Sequence, residues 1–256
     1  MSLLEVEHIT QHFGGLCAVS DFSLRLEPGE LVGLIGPNGA GKTTVFNIMT
    51  GVYRPTSGRI HLDGEDLVGL SPSAIHARGL ARTFQNIRLF KKMTVLDNVR
   101  LARYARLGYN PLEALFHVGR FRAEELKILE HARSLLALFH LEDAAGERAE
   151  NLPYGLQRKL EIIRALASQP RILLLDEPAA GMNPPEIEEL MAFIQRIRKE
   201  FALTILLIEH QMRLVMGICD RLVVLDFGAT IAEGLPHEIQ KHPQVLQAYL
   251  GVEVGE

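Results

Sequence analysis

Apolar residues follow two kinds of pattern along this sequence, and both predict β-strands. Between Phe22 and Leu26 they alternate with polar residues, as in a strand that buries one face. Elsewhere they occupy successive positions, which is typical of strands buried on both faces of a sheet. The segments with this second pattern are Leu31–Ile35, Ile172–Leu175, Thr204–Ile208 and Arg221–Leu225.

Helical segments separate the later strands. We predict helices at Pro185–Glu200 and Met212–Cys219, so that the second half of the chain alternates strand and helix. This alternation predicts an α/β core.

The middle of the chain has a different, largely helical pattern. Thr94 is a suitable N-cap for a helix that starts at Val95, and Asp97 at its third position resembles a capping box. Ala123–Phe139 has the pattern of a second amphipathic helix. Gly108–Pro111 has the composition of a loop between the two helices.

These patterns predict two domains. Residues 1–85 and 170–256 form the α/β core, and a helical domain, residues 86–169, interrupts it. The chain has 256 residues, of which 47% are hydrophobic and 23% charged. This composition is that of a globular protein with a sizeable core, and it excludes disorder as the main state.

The sequence has no pattern for a membrane span or for secretion. Its best apolar run, Ala202–Ile208, is far shorter than the ~18 residues that a membrane helix needs. Glu5 and Glu7 lie where a secretory signal would be basic. Cys17 and Cys219 are the only cysteines, too few for a disulfide framework or a zinc cluster. We therefore expect a cytoplasmic protein.

The charge is unevenly distributed. The formal net charge is −4, which argues against a nucleic-acid partner. Residues 78–122 nevertheless contain ten basic and two acidic residues, a local charge of +8. This basic segment is either a solvated face or a docking surface.

A glycine-rich segment after the first buried strand predicts a phosphate-binding loop. It fits the pattern G-x-x-x-x-G-K-[ST], follows a strand and precedes a helix, as that loop requires. Its glycines allow backbone N–H groups to point at phosphate oxygens, helped by the positive end of the helix. The lysine supplies a charge to the β- and γ-phosphates, and the following hydroxyl can ligate Mg²⁺. The loop residues are Gly36, Pro37, Asn38, Gly39, Ala40, Gly41, Lys42, Thr43 and Thr44.

Two acids end the buried strand that starts at Ile172. Successive residues at a strand end point in opposite directions, so Asp176 can hold the magnesium shell while Glu177 faces an attacking water. His210 follows the strand Thr204–Ile208 and places an imidazole at the same carboxyl edge of the sheet.

Two other segments resemble known motifs that the chain does not use. Asp226-Phe-Gly resembles the magnesium motif of kinases, but it lies between two strand-like segments and is better explained as a hairpin turn. His237 and His242 are five residues apart, whereas zinc sites on one helical face need a spacing of four. We assign no metal site to them.

Together these residues resemble the ATPase subunits of ABC transporters, over essentially the whole chain. Gln85 stands where the family has its Q-loop, Asn151–Arg158 where it has its signature, and Ala179–Asn183 where it has its D-loop. His210 occupies the position of the switch histidine, and Phe13 that of an aromatic residue which stacks on adenine.

The resemblance implies a P-loop ATPase core with an antiparallel β subdomain and a helical subdomain. It implies ATP and Mg²⁺ as ligands, the metal being held by Thr43, Gln85 and Asp176. Glu177 would polarise the water, His210 would orient the γ-phosphate, and Lys42 and Gln85 would complete the catalytic set. The family works as a head-to-tail dimer, in which Tyr154 and Gly155 of one chain would meet the ATP of the other.

The signature segment departs from the family's common Leu-Ser-Gly-Gly-Gln. Pro153, Tyr154 and Leu156 replace Ser, Gly and Gln, and Gly155 is retained. A helix that begins near Gly155 would still offer N–H groups to a phosphate. Arg158 and Lys159 lie in its first turn, where a helix disfavours cations unless an anion arrives, and we expect a γ-phosphate to be that anion.

Within the family, several stretches look most like the ATPases of branched-chain amino acid importers. They are Phe13–Leu16, Thr83–Phe90, Leu152–Gly155, Glu177–Pro184 and Tyr249–Gly251. Urea-type amide importers and the lipopolysaccharide-export ATPase share parts of this set.

The implied partners are transmembrane permease subunits, a second ATPase subunit and, indirectly, a substrate-binding protein. The chain would then lie on the cytoplasmic face of the cell membrane, with the basic segment near the permeases. Two alternatives are a soluble ABC ATPase without a transport role and a P-loop GTPase or small-molecule kinase. The sequence has none of the fused halves, long coiled coils or inserts that are common in the first class. The second class would not explain the helix at Gly155, and no Asn-Lys-x-Asp motif is present.

Overall fold

The computed structural model describes residues 2–104 and 120–250, with the side chains of Arg120 and Leu250 left out. The predicted loop at Gly108–Pro111 and the end of the Tyr249–Gly251 stretch lie outside these ranges. The chain divides into two compact units, one made of residues 1–85 and 171–256 and the other of residues 86–170.

The first unit contains two β-sheets within the described residues. An antiparallel sheet has the order β2-β1-β4-β5, and a larger sheet has the order β10-β9-β3-β8-β7-β6. All neighbours in the larger sheet run parallel except β9 and β10. The strands are β1 Leu4–Phe13, β2 Leu16–Leu26, β3 Leu31–Ile35, β4 Ser57–Leu62, β5 Glu65–Asp66, β6 Leu80–Arg82, β7 Ile172–Asp176, β8 Thr204–Ile208, β9 Arg221–Asp226 and β10 Ala229–Gly234.

The continuous apolar segments form the centre of the larger sheet, as predicted. Every residue of β3, β7 and β8 is buried, as expected for strands of a parallel sheet that is covered on both faces. β7 and β9 each extend one residue beyond the predicted end, to Asp176 and Asp226. The predicted α/β fold with an antiparallel sheet is confirmed.

The helices of this unit follow the predicted positions closely. The helix after β7 begins at Pro184 because Asn183 and Glu186 form a capping box, in which each side chain accepts the other's backbone N–H. The helices are α1 Lys42–Met49, α2 Pro72–Ala77, α6 Pro184–Glu200, α7 Met212–Ile218, α8 Pro236–Ile239 and α9 Pro243–Leu250.

The second unit is helical in the part that the structure describes. Thr94 caps its first helix and accepts the backbone N–H of Asp97, as predicted. The buried Asn98 side chain holds the preceding loop, since it bonds both backbone groups of Phe90. The helices are α3 Val95–Arg103, α4 Arg120–Leu138 and α5 Tyr154–Ala167, with a short 3₁₀ turn at Ala149–Asn151.

Among the described residues of both units, no helix combines the length and the apolar character that crossing a membrane requires.

Candidate nucleotide site

The predicted phosphate-binding loop joins β3 to α1 at the carboxyl edge of the larger sheet. Gly41, the N-cap of α1, has φ 103°, a left-handed conformation that L side chains rarely adopt. A Cβ at this position would also lie 2.5 Å from the carbonyl oxygen of Ala18. Only glycine fits here, which explains why the loop carries one at this point.

Lys42 is the first residue of α1, and its ammonium group is held inside the loop. Its Nζ donates hydrogen bonds to the carbonyl oxygens of Gly36 (2.7 Å) and Pro37 (2.8 Å). Burial lowers the pKa of Lys42, although Glu177 and Asp176 oppose this shift. The charged lysine is therefore under-compensated, and an anion bound at the loop would stabilise it.

A cavity of about 440 Å³ lies against the loop. The predicted adenine partner, Phe13, lines it and packs edge-on against Tyr53 with 5.2 Å between ring centroids. Lining residues that sequence reasoning did not assign to the site include Cys17 and Phe227, the latter 89% exposed. Phe227 belongs to the turn between β9 and β10, which confirms the interpretation of Asp226-Phe-Gly as a hairpin.

Three of the predicted catalytic side chains meet at the end of β7. The Gln85 Nε2 donates to Glu177 Oε2 at 2.7 Å, and His210 Nδ1 lies 3.9 Å from Glu177 Oε1. The Glu177 carboxylate also lines the cavity against the phosphate loop. An acid in this position can accept a proton from a water that approaches the loop.

Asp176 is buried and has a partner that sequence reasoning missed. The Arg82 Nη2 lies 2.7 Å from Asp176 Oδ2, and its Nη1 donates to Asn47 Oδ1 (2.7 Å). The guanidinium also lies over the rings of Phe46 and Phe84, at 5.4 and 5.2 Å. Arg82 thus joins β6, β7 and α1 beneath the site.

The donor set fits Mg²⁺. Thr43, Gln85 and Asp176 offer a hydroxyl, an amide and a carboxylate, and hard cations prefer oxygen ligands of these kinds. A carboxylate has two oxygens, so Asp176 can retain Arg82 on one and ligate a cation with the other. These residues suit a hard divalent cation that keeps several of its waters.

Sequence reasoning also missed a buried acid that lies next to His210 in the sequence. Glu209 follows β8 and is 0% exposed. Its carboxylate accepts the backbone N–H groups of Ala179 (2.7 Å), His210 (3.0 Å) and Gln211 (3.2 Å). Burial raises its pKa, and the three N–H groups partly offset that shift. A wholly apolar strand followed directly by an acid was the available sequence signal.

The signature segment corrects one expectation. Helix α5 begins at Tyr154 with Pro153 as N-cap, and Tyr154 is exposed while Gly155 is half-buried. Arg158, however, is 0% exposed, and its Nη1 lies 2.9 Å from Glu161 Oε2. Its charge is already compensated within the helical unit, so the expectation that Arg158 awaits a γ-phosphate is wrong.

The basic segment is also less uniform than its composition suggests. Arg82 is buried in its ion pair, Arg78 pairs with Glu65, and Arg100 pairs with Asp97 and Glu125. Arg106 and the side chain of Arg120 lie outside the part of the chain that the structure describes. Exposed basic groups that remain in the helical unit include Lys91 and Lys92. The segment therefore does not present all of its basic groups for docking, and its position near the permeases stays a prediction.

Two family models match the sequence. The model described as "ABC transporter" matches residues 19–180. The model described as "Branched-chain amino acid ATP-binding cassette transporter" matches residues 229–255. The first match includes the phosphate loop, Gln85, the signature segment and both acids at the end of β7.

Several curated proteins are similar over nearly their whole length. The high-affinity branched-chain amino acid transport ATP-binding protein BraF of Pseudomonas aeruginosa is 49% identical, over 97% of this chain and 98% of BraF. LivG of Escherichia coli K12, with the same description, is 47% identical over the same shares. The lipopolysaccharide export ATP-binding protein LptB of Acidithiobacillus ferridurans is 35% identical, over 97% of both chains.

Solved structures agree with this assignment of the fold. A crystal structure of an ATP-binding cassette of an ABC transporter in its ADP conformation superposes with a TM-score of 0.86 at 31% identity, covering 98% of this chain and 100% of that one. A nucleotide-free ATP-binding cassette gives a TM-score of 0.85 at 30% identity, with all of both chains covered.

Proposed function

Because the chain belongs to the ABC transporter family and is one of its ATP-hydrolysing subunits, we propose that it powers the import of branched-chain amino acids. The observation that carries this proposal is the near full-length identity of 47–49% to BraF and LivG. The lipopolysaccharide-export relative is more distant, at 35%. Import of a hydrophobic amino acid is therefore favoured over export of a lipid.

The geometry of the site supports a mechanism based on positioning and charge. In this mechanism, adenine stacks on Phe13, and the phosphates bind the N–H groups and lysine of the loop 36–44. Lys42 exchanges its bonds to loop carbonyls for phosphate oxygens, which relieves the cost of its burial. Most of the catalysis of phosphoryl transfer comes from such preorganised contacts.

Glu177 acts as the base in the proposed mechanism. Its carboxylate is hydrogen-bonded by Gln85 and lies beside His210, which orients the γ-phosphate. Thr43, Gln85 and Asp176 would hold Mg²⁺. The metal, when bound, neutralises charge on the phosphates. The bond from Gln85 keeps Glu177 at the cavity while water is being deprotonated.

The proposed assembly contains a second ATPase subunit and transmembrane permeases. Tyr154 and Gly155, at the exposed start of α5, would approach the nucleotide of the second subunit. The chain would be held at the cytoplasmic face of the membrane by binding to the permeases. A substrate-binding protein would deliver the amino acid to the permeases from the opposite side.

Transport by membrane vesicles tests this function. The chain is expressed together with candidate permease subunits and a candidate substrate-binding protein, and vesicles are supplied with ATP and radiolabelled leucine. We expect ATP-dependent leucine uptake, and loss of that uptake with Lys42→Met. Labelled urea and labelled lysine serve as alternative cargoes.

Three results would contradict the proposal. Uptake of urea without uptake of leucine would move the function to amide import. Leucine uptake that persists in Lys42→Met would show that ATP hydrolysis by this chain does not power the transport. Failure of the chain to co-purify with any membrane subunit would favour an ABC ATPase without a transport role.

A further inference from the structure

Glu209 is a fully buried carboxylate for which the mechanism above has no role. Carboxylates are rarely buried completely, because transfer of the charge from water is costly unless it is compensated. Here the compensation comes from three backbone N–H groups, at 2.7 to 3.2 Å. Such an arrangement is costly to maintain for packing alone, since a leucine would fill the same space without a charge.

The three N–H groups come from two different loops. Ala179 lies two residues after Glu177, in the loop that follows β7, and bonds Oε1. His210 and Gln211 lie in the loop that follows β8, and both bond Oε2. The two oxygens of one carboxylate therefore hold one loop each.

A backbone bond completes the connection. The N–H of Glu177 donates to the carbonyl oxygen of Ile208 at 2.9 Å. Glu177 itself has φ 47°, an uncommon conformation for a residue with a side chain, which its surroundings must enforce. The loop after β7 is thus tied to the last residue of β8 through Glu177 and to the loop after β8 through Ala179, on either side of Pro178.

The side chains that these loops carry are the ones that must be placed accurately. His210 Nδ1 lies 3.9 Å from Glu177 Oε1, and the two side chains belong to different loops. Their relative position depends on the separation of the two loops, and a change of about 1 Å in such a geometry can reduce the rate by a factor of about 100.

We propose that Glu209 is a positioning residue that couples the loop bearing Glu177 to the loop bearing His210. Its carboxylate makes the two loops move as one, so that His210 and Glu177 approach a nucleotide together. This inference rests on the roles proposed for Glu177 and His210, and its structural part, the linkage of two loops, stands independently of them.

The linkage is tested first, without any measurement of activity. Glu209→Gln keeps the shape of the side chain but replaces one acceptor oxygen with an NH₂ group. Amide hydrogen exchange, followed by mass spectrometry, is compared at residues 177–182 and 209–212. We expect exchange to become faster in both segments by tenfold or more. Each carboxylate oxygen holds one loop, and loss of the bonds to one oxygen should release both loops.

The coupling to catalysis is tested by a double-mutant cycle. Single-turnover ATP hydrolysis is measured for Glu209→Gln, His210→Ala and the double variant. We expect Glu209→Gln alone to slow turnover at least tenfold with nucleotide affinity within twofold of the parent. In the His210→Ala background the same change should slow turnover less than threefold, because the group that it positions is gone.

A matched control is provided by Glu238, whose carboxylate also accepts a backbone N–H, that of Leu235, at 2.9 Å. Glu238→Gln should change neither the turnover nor the exchange of the two loops. If Glu209→Gln does not fold, Glu209→Asp replaces it, since the shortened acid can reach only one of the loops.

Two outcomes overturn the proposal. One is faster exchange in a single loop only, which would mean that Glu209 does not link them. The other is an equal loss of turnover with and without His210, which would indicate a general structural role. If the exchange result holds while both single variants hydrolyse ATP normally, the linkage stands and the catalytic role of His210 is at fault.

Discussion

Arg82 and Asp176 form an ion pair of 2.7 Å in which each side chain is only 6% exposed. The pair lies beneath the phosphate loop, since Arg82 also bonds Asn47 of α1. Asp176 is the acid to which the mechanism assigns Mg²⁺. The position of that acid relative to the loop therefore depends on an arginine from a different strand.

Removal of this arginine should destabilise the protein strongly. Arg82→Met leaves a buried carboxylate without its partner, and loss of one member of a buried pair costs about 3–5 kcal/mol. We expect a decrease of this size in the free energy of unfolding, measured by urea denaturation. Adding Asp176→Asn should recover part of the loss, because the unpaired charge disappears. A decrease below about 1 kcal/mol would show that the pair contributes little.

Glu177→Gln should separate nucleotide binding from hydrolysis. The variant retains the shape of the side chain but lacks the base, so turnover should fall by roughly 10²–10⁴-fold. Affinity for ATP, measured by equilibrium fluorescence titration, should remain within a few fold. Hydrolysis at a near-normal rate would remove Glu177 from the role of base.

Lys42→Met should abolish stabilisation by nucleotide. A ligand at 100 times its Kd stabilises a folded protein by about 2.7 kcal/mol, and this gain should be present in the parent and absent in the variant. Thermal unfolding with and without MgATP measures it. An unchanged shift in melting temperature would contradict the assignment of the loop to phosphate.

The same variant should change how stability depends on pH. Burial lowers the pKa of Lys42 below its ordinary value of 10.5, so the unfolded chain binds this proton more tightly than the folded protein does. This group therefore makes the parent more stable as the pH rises from the lowered pKa towards 10.5. Urea denaturation between pH 8 and pH 10 should show that this contribution is absent from Lys42→Met.

The two cysteines should differ in reactivity. Cys17 lines the cavity at the phosphate loop, whereas Cys219 is buried and its pKa is raised by burial. A thiol-alkylating reagent at neutral pH should modify Cys17 first, and MgATP should slow that reaction, as mass spectrometry can follow. Cys17→Ser provides the control. Equal labelling with and without nucleotide would place the ligand elsewhere.

The sequence predicts the central strands of the larger sheet because their signal is local. Continuous apolar segments identify β3 and β8 to the residue, and the glycines and lysine between β3 and α1 identify the loop. Thr94 and Asp97 likewise identify the start of α3 through a bond three residues apart. In each case the residues that determine the structure lie within one element or its cap.

Contacts between distant parts of the chain were missed. Arg82 and its partner Asp176 are 94 positions apart, and Glu209 bonds Ala179 from 30 positions away. Hydrophobic periodicity gives no signal for contacts between residues so far apart in the sequence. The error at Arg158 had a different cause, since Glu161 stands three residues along the same helix and an i, i+3 ion pair was a visible alternative.

The parallel sheet also determines when during biosynthesis the phosphate loop can form. Both neighbours of β3 arise late, since Leu31 pairs with Ile205 of β8 and Val32 with Arg221 of β9. At a synthesis rate of about 5–20 residues per second, a ribosome needs roughly 10–35 s to add the intervening residues. Until then β3 remains an apolar strand with two unsatisfied edges, a target for chaperones or for aggregation. A nascent chain arrested before β8 should therefore bind no nucleotide, although its glycine-rich loop has long left the exit tunnel.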